Sequence, residues 1–80
     1  MFNLLEVLIY KTIGANIKKA RKDKNITQLE LSLAIGHKAV GTVSMAEIYH
    51  NKKHFNIEHL VKIAEVLEVD ICEFFEGVEG

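Results

Sequence analysis

Four histidines and one cysteine invite the hypothesis of a metal site. His50 and His54 lie four residues apart, and His59 and Cys72 follow them. A zinc site needs about four ligands converging from fixed spacings, whereas these histidines flank a loop and Cys72 falls in an apolar stretch. We therefore expect no metal and no cofactor. The histidines are expected to be solvated or to touch phosphate, and Cys72 to be a small core residue.

Nothing in the sequence indicates an enzyme. It has no Ser/His/Asp or Cys/His signature and no glycine-rich loop that would cradle a phosphate. A chain of 80 residues also leaves little room for a cleft of ordinary ligand size. We expect a protein without catalytic activity.

The charged residues are divided unequally along the chain. Residues 1–54 contain nine lysines or arginines against four acidic residues, a balance of +5. Residues 55–80 contain one lysine against seven acidic residues, a balance of −6. A basic face is typical of a protein that binds a polyanion, and two ordinary solvated faces are the alternative.

Composition favours one small helical domain in the cytoplasm. Hydrophobic residues make up 49% of the chain and proline is absent, which suits helices because proline breaks helix interiors. A single cysteine excludes an intramolecular disulfide and favours a reducing compartment. The apolar stretch 4–10 is too short to span a bilayer and lacks the basic start of a signal peptide, so we expect no membrane association.

Helical periodicity predicts five helices and no sheet. The first covers about residues 12–24, with Ile13, Ile17 and Ala20 on one face. Residues 7–10 also have strand propensity, but we favour a helical extension through residues 3–11. The predicted organisation is an N-terminal extension at residues 1–12, a domain at 13–76 and a frayed tail at 77–80.

The second and third helices are separated by a glycine. Thr27 and Glu30 have the spacing of a capping box at the start of the second helix, and Gly36 is placed to end it. The third helix covers about residues 39–49. Val43 and Ala46 are predicted to face inward, together with Val40 or Ile48. This helix–glycine–helix layout is that of a helix-turn-helix.

The fourth and fifth helices are predicted from their N-caps, Asn56 and Asp70. The buried stripe of the fourth helix is predicted to be Ile57, Leu60, Ala64 and Leu67. The fifth is a short helix at residues 71–75 with three apolar anchors, Ile71, Phe74 and Phe75.

Residues in all five predicted helices share the pattern of one family. They are Ile17 and Arg21, Ile26-Thr27-Gln28, Glu30-Leu31, Gly36, Val43-Ser44, Glu47, the stretch Ile57 to Ala64, Leu67, and Asp70 to Phe75. Through them, residues 13–75 resemble the Cro/phage-repressor family of helix-turn-helix regulators, often called Xre-like. The resemblance implies an all-α, five-helix, lambda-repressor-like domain with its helix-turn-helix at helices two and three. It implies a sequence-specific transcription regulator that binds an inverted-repeat operator as a homodimer.

The resemblance also implies how double-stranded DNA would be bound. The third helix would enter the major groove and read base edges. Gln28 would donate to a phosphate at the start of the second helix, and Lys52 and Lys53 would contact phosphates from the loop after the third. The predicted DNA-binding residues are Thr27, Gln28, His37, Lys38, Ala39, Val40, Gly41, Thr42, Ser44, Met45, Lys52 and Lys53.

The recognition helix departs from the family pattern. The interval from Gly36 to Glu47 is one residue longer than usual, which places an insertion around residues 37–39. The base-facing positions are poor in amides and guanidinium groups. Readout would then rest on contacts with thymine methyls, on the hydroxyls of Thr42 or Ser44, and on DNA shape. We expect modest specificity, or a partner that adds to it.

Two residues are expected to join the first helix to the third. The family often pairs an arginine at the position of Arg21 with a glutamate at the position of Glu47. We expect a bidentate, partly buried ion pair that holds the recognition helix. The alternative is two solvated surface charges that contribute little to stability.

Surplus apolar residues suggest a dimer contact, which recognition helices spaced one DNA turn apart require. In the family the loop before the fourth helix and the last helix usually form it. The candidates are Ile71, Phe74, Phe75, Leu4 and Leu8, with core packing as the alternative for at least two of the first three. Leu29 and Leu33 either pack beneath the N-terminal segment or join the contact.

Two other functions fit the same residues. One is an antitoxin or a restriction–modification controller protein that regulates its own promoter, which would add a toxin or another protein partner. The other is a protein-interaction module that has lost DNA binding. The near-neutral net charge of −1 and the apolar recognition helix motivate it, and it predicts no salt-dependent affinity for any duplex.

Overall fold

The computed structural model describes residues 4–36 and 41–78, and the described residues are helical, with no strand among them. These residues form four α-helices: α1 Leu4–Asp23, α2 Gln28–Ala34, α3 Gly41–Glu47 and α4 Ile57–Leu67. Two short 3-10 helices follow α3 and α4, at His50–Lys52 and Ile71–Phe75. The predicted fold class is confirmed, except that the fifth predicted helix is a 3-10 helix.

Helix α1 begins well before the predicted residue 12, so residues 4–12 are helical and the strand alternative does not occur. Ile13, Ile17 and Arg21 form its buried face. The leucines of its first turns, Leu4, Leu5 and Leu8, are more than half exposed. Within residues 4–36 and 41–78, no helix is long and apolar enough to cross a membrane.

The predicted caps are present at the starts of three helices. The Thr27 hydroxyl accepts from the N–H of Glu30 at 3.0 Å, and the Glu30 carboxylate accepts from the N–H of Thr27 at 2.9 Å. Asn56 caps α4 by accepting from the N–H of His59 at 2.7 Å. Asp70 caps the last 3-10 helix by accepting from the N–H of Cys72 at 2.9 Å. Gly36 follows α2 with a φ of +93°, a conformation that glycine adopts without strain.

The hydrophobic core lies between the four α-helices and the last 3-10 helix, and α2 contributes Leu31 to it. Val43 and Ala46 of α3 are buried as predicted, while Ile48 lies beyond the end of α3 and is exposed. Ile57 was predicted to be buried and is 76% exposed, because it is the first residue of α4 and lines an open groove. The other three predicted residues of the stripe, Leu60, Ala64 and Leu67, are buried, and Ile63 completes it.

The geometry of the last 3-10 helix corrects two predictions. Three residues per turn place Ile71 and Phe74 on one side of the helix. Phe74 is fully buried in the core, so it is excluded as a dimer contact, and Ile71 packs half-buried against the same core. Cys72 faces away and is exposed, so it is not a core residue.

The end of this helix and the residues after it are hydrogen-bonded to α1 and packed against the core. The Asn16 side-chain amide donates to the carbonyl oxygens of Phe74 and Glu76 at 2.9 and 2.8 Å. Val78, in the segment predicted to fray, packs half-buried against the core.

Candidate nucleic-acid interface

Helix α3 lies unusually close to α1 at Gly14. A Cβ atom on Gly14 would stand 2.6 Å from the carbonyl oxygens of both Ala46 and Glu47. Real Cβ atoms do not approach that closely, so only glycine permits this packing. Sequence reasoning missed Gly14. Its one signal was a glycine inside a helical pattern, which often marks a close approach of backbone.

Arg21 and Glu47 are brought together as a bidentate ion pair. Arg21 Nε donates to Glu47 Oε2 at 2.7 Å, and Nη2 donates to Oε1 at 3.2 Å. The two side chains are 8% and 0% exposed. The remaining guanidinium nitrogen, Nη1, donates to the carbonyl oxygen of Ile26 at 2.7 Å. The pair therefore links α1 to the end of α3 and to the loop before α2.

Gln28 joins the same carboxylate. Its Nε2 donates to Glu47 Oε1 at 2.9 Å, so the first residue of α2 contacts the last residue of α3. Sequence analysis expected this amide to donate to a phosphate. An amide nitrogen carries two N–H donors, so one remains for a phosphate while the other is bound to Glu47.

The described part of the predicted recognition helix presents a glycine, two hydroxyl-bearing residues and a methionine. Gly41, Thr42, Ser44 and Met45 are half-buried, on the side of α3 away from the core residue Val43. The Ser44 hydroxyl donates to the carbonyl oxygen of Gly41 at 3.1 Å. Four predicted contact residues lie outside the described residues, together with the expected insertion: His37, Lys38, Ala39 and Val40.

The loop after α3 carries the predicted phosphate contacts. Lys52 and Lys53 are exposed. Three residues of this loop have left-handed backbone conformations, Tyr49 at φ +56°, Asn51 at +53° and Lys52 at +62°. The Lys53 N–H donates to the carbonyl oxygen of His50 at 3.0 Å, which closes the turn.

Thr27, the remaining predicted contact, is exposed at the start of α2, where its hydroxyl caps the helix. The two hydrogen bonds from Thr27 hold the pKa of the Glu30 carboxyl below its ordinary value, the backbone N–H having the larger effect.

His54, His59 and Cys72 each contact a neighbouring residue. The His59 ring accepts from the N–H of Asn56 at 3.3 Å, and the His54 ring stacks on Tyr10. Hydrogen bonding to Asp70, and then its negative charge, raises the pKa of the Cys72 thiol. Across the described residues, no group of three or more His, Cys, Asp or Glu side chains could hold a metal ion.

The family of the chain follows from its sequence. A family model for the helix-turn-helix matches residues 17–74, which is most of the chain. The chain belongs to the helix-turn-helix family. It is a DNA-binding transcription regulator of the Cro/repressor type, as the resemblance implied.

A solved structure shares the fold of this helix-turn-helix protein. The clp gene regulator ClgR from Corynebacterium glutamicum superposes with a TM-score of 0.74. The two sequences are 24% identical, and the match covers 95% of this chain and 73% of that chain. At this level of identity the likeness shows the fold alone. The comparison with curated proteins gave no match.

The helix-turn-helix consists of α2 and α3, and α3 is the recognition helix. Its last residue, Glu47, receives hydrogen bonds from Arg21 on α1 and Gln28 on α2. The orientation of the recognition helix is therefore fixed from two sides by one buried carboxylate.

Proposed function

We propose that this protein is a cytoplasmic transcription regulator that binds an inverted-repeat operator as a homodimer. The observation that carries the proposal is the buried network of Arg21, Gln28 and Glu47. Base reading requires a recognition helix held within a fraction of an ångström by packed, hydrogen-bonded neighbours. The network supports such a role for α3.

Phosphate contacts would come from both ends of the helix-turn-helix. Lys52 and Lys53 are exposed and project from the loop after α3. The free N–H of the Gln28 amide and the Thr27 hydroxyl would contact phosphates at the start of α2. Such contacts fix the register of the protein on DNA and provide most of its salt-dependent affinity.

Base contacts would come from the half-buried side of α3 that faces away from the core. Thr42 offers a methyl group and a hydroxyl, Ser44 a hydroxyl that can still accept, and Met45 an apolar chain suited to a thymine methyl. Gly41 lets the DNA approach the backbone. The proposed contacts continue into residues 37–40. With no amide or guanidinium at the described positions, DNA shape would carry part of the specificity.

A second copy of the chain is the proposed partner of an apolar groove. The groove has a volume of about 350 Å³, and Ile9, Phe55, Ile57 and Phe75 are among its lining residues. Ile57 is 76% and Phe75 42% exposed, although both are large and apolar. A two-fold dimer would pair this surface with itself and cover both side chains. The exposed Leu4 and Leu8 of α1 are the other candidate surface.

Fluorescence anisotropy tests DNA binding. Labelled DNA from immediately upstream of the gene is compared with an unrelated duplex at two salt concentrations. We expect tighter binding to the upstream DNA, weakening as salt rises. Lys52→Ala should lower the affinity for both duplexes. Lys62→Ala is the matched control, because Lys62 is an exposed lysine on α4 that pairs with Glu58 at 3.1 Å.

The other outcomes distinguish the alternatives. If the wild-type protein binds neither duplex at low salt, the proposal fails and a protein-interaction module is favoured. If it binds both duplexes equally and Lys52→Ala weakens both, the DNA-binding surface is supported, while specificity for that upstream sequence is contradicted.

A further inference from the structure

We propose that Tyr10 is a positioning residue for DNA binding, which acts through His54 on the loop that carries Lys52 and Lys53. The inference rests on the proposed function. It assigns a role to the part of α1 that precedes the predicted domain at residue 13.

Tyr10 contacts aromatic rings from both ends of the loop. Its ring stacks on the His54 ring with centroids 3.9 Å apart and an interplanar angle of 25°. It also stacks on Tyr49, with centroids 5.7 Å apart and an angle of 13°. Tyr49 precedes the 3-10 helix His50–Lys52 and His54 follows it. One side chain of α1 therefore fixes the entry and the exit of the loop.

His54 transmits this contact to the backbone of Lys52. Its Nδ1 donates to the carbonyl oxygen of Lys52 at 3.1 Å. The His54 ring is thus held by Tyr10 on its face and holds Lys52 through its edge. A shift of the ring would move the peptide that directs the Lys52 and Lys53 side chains.

The loop backbone needs such contacts. Tyr49, Asn51 and Lys52 all have φ between +53° and +62°. This region is unfavourable for residues with a Cβ atom, and surrounding structure must hold them there. We infer that the ring stack stabilises this conformation, which presents both lysines to solvent.

The stack is at the surface, so it can be altered without opening the core. His54 is exposed, and Tyr10 and Tyr49 are half-buried. Substitution of His54 removes the ring and its hydrogen bond but no residue of the buried cluster. Tyr10 and His54 also line the groove proposed as the dimer surface. His54→Ala therefore decides the question, even if Tyr10→Ala fails to fold, when sedimentation equilibrium shows that the variant self-associates as the wild type does.

DNA affinity measured over a series of salt concentrations tests the proposal. Tyr10→Ala and His54→Ala should weaken binding about tenfold, the loss of one hydrogen bond to a charged group. The slope of log affinity against log salt should become shallower by about 0.9 for each lost phosphate contact. Tyr10→Phe keeps the ring and should restore both quantities. Leu5→Ala, an exposed truncation on the same helix, is the control and should change neither.

Two further measurements separate positioning from stability. The double variant Tyr10→Ala/Lys52→Ala should lose less DNA-binding free energy than the two single variants lose together. The reason is that the effects of residues acting through one contact are not additive. The chain has two tyrosines, both in the stack, and no tryptophan. Tyrosine emission therefore reports on the stack without DNA, and His54→Ala should change it while the protein stays folded.

The outcomes are distinct. If wild-type protein does not bind DNA, the proposed function fails and the inference fails with it. If wild type binds and Lys52→Ala weakens binding, but the Tyr10→Ala or His54→Ala variant keeps the wild-type affinity and slope, only the inference is overturned. Full additivity with Lys52→Ala, or no rescue by Tyr10→Phe, also overturns it.

Discussion

Arg21 and Glu47, 26 residues apart in the sequence, form a bidentate ion pair from which solvent is almost excluded. Gln28 donates to the same carboxylate. A single side chain at the end of α3 therefore joins the three helices that must keep their relative orientation for DNA recognition.

Glu47→Gln should lower the free energy of unfolding by about 3–5 kcal/mol, because it leaves the buried Arg21 guanidinium without a counter-charge. Urea denaturation followed by circular dichroism measures this loss. The double variant Arg21→Met/Glu47→Met should recover most of it, since two apolar side chains leave no buried charge. An unchanged denaturation midpoint for Glu47→Gln would show that the pair does not stabilise the fold.

Gly14→Ala should destabilise the protein although alanine favours helices by up to about 1 kcal/mol. The added Cβ would stand 2.6 Å from two backbone oxygens of α3, which can only move with the helix. Gly41→Ala is the matched control, because within residues 4–36 and 41–78 its Cβ would meet only the Met45 side chain, at 3.7 Å. Thermal denaturation should show a lower Tm for Gly14→Ala alone. Equal Tm values for the two variants would contradict the close approach.

Thr27→Ala should lower the free energy of unfolding by about 1 kcal/mol, the usual cost of losing an N-cap side chain. It should also move the pKa of Glu30 part of the way back toward its ordinary value, because the backbone N–H of residue 27 still donates. The pKa of Glu30 is measured from its carboxyl chemical shift in an NMR titration.

The direction of the pH effect follows from the lowered pKa of Glu30. The capping contact contributes its stability above the pKa of the unfolded chain, and that stability is lost as pH falls through the lower native pKa. A Glu30 pKa at or above its ordinary value in wild-type protein would contradict the reciprocal cap.

Ile57→Asp should weaken self-association at least tenfold, because it places a charge in the apolar groove proposed as the dimer surface. The monomer should remain folded, since Ile57 is exposed and an acidic residue is favourable in the first turn of a helix. Sedimentation equilibrium measures the association. Leu33→Asp, on the exposed side of α2, is the control; a dimer lost in Leu33→Asp but kept in Ile57→Asp would move the interface to α2.

Local sequence patterns were sufficient to predict a helix boundary where that boundary depends on neighbouring residues. The capping pairs of Thr27 with Glu30 and of Asn56 with its following turn are sequence-local hydrogen bonds, so spacing alone predicted them. Periodicity also predicted the buried face of Val43 and Ala46. The pairing of Arg21 with Glu47 was expected from family resemblance, because no local rule connects residues so far apart.

The amino-acid sequence by itself determined the helical class, the caps and the helix-turn-helix, because these depend on residue type and spacing within a few positions. Only the tertiary structure decided that Gly14 lets α1 touch α3, that Gln28 binds Glu47, and that Tyr10 reaches both ends of the lysine loop. It also decided which apolar residues the core covers, burying Phe74 and leaving Ile57 exposed. Those facts depend on how helices distant in sequence pack together, and hydrophobicity and spacing do not specify which side chains then meet.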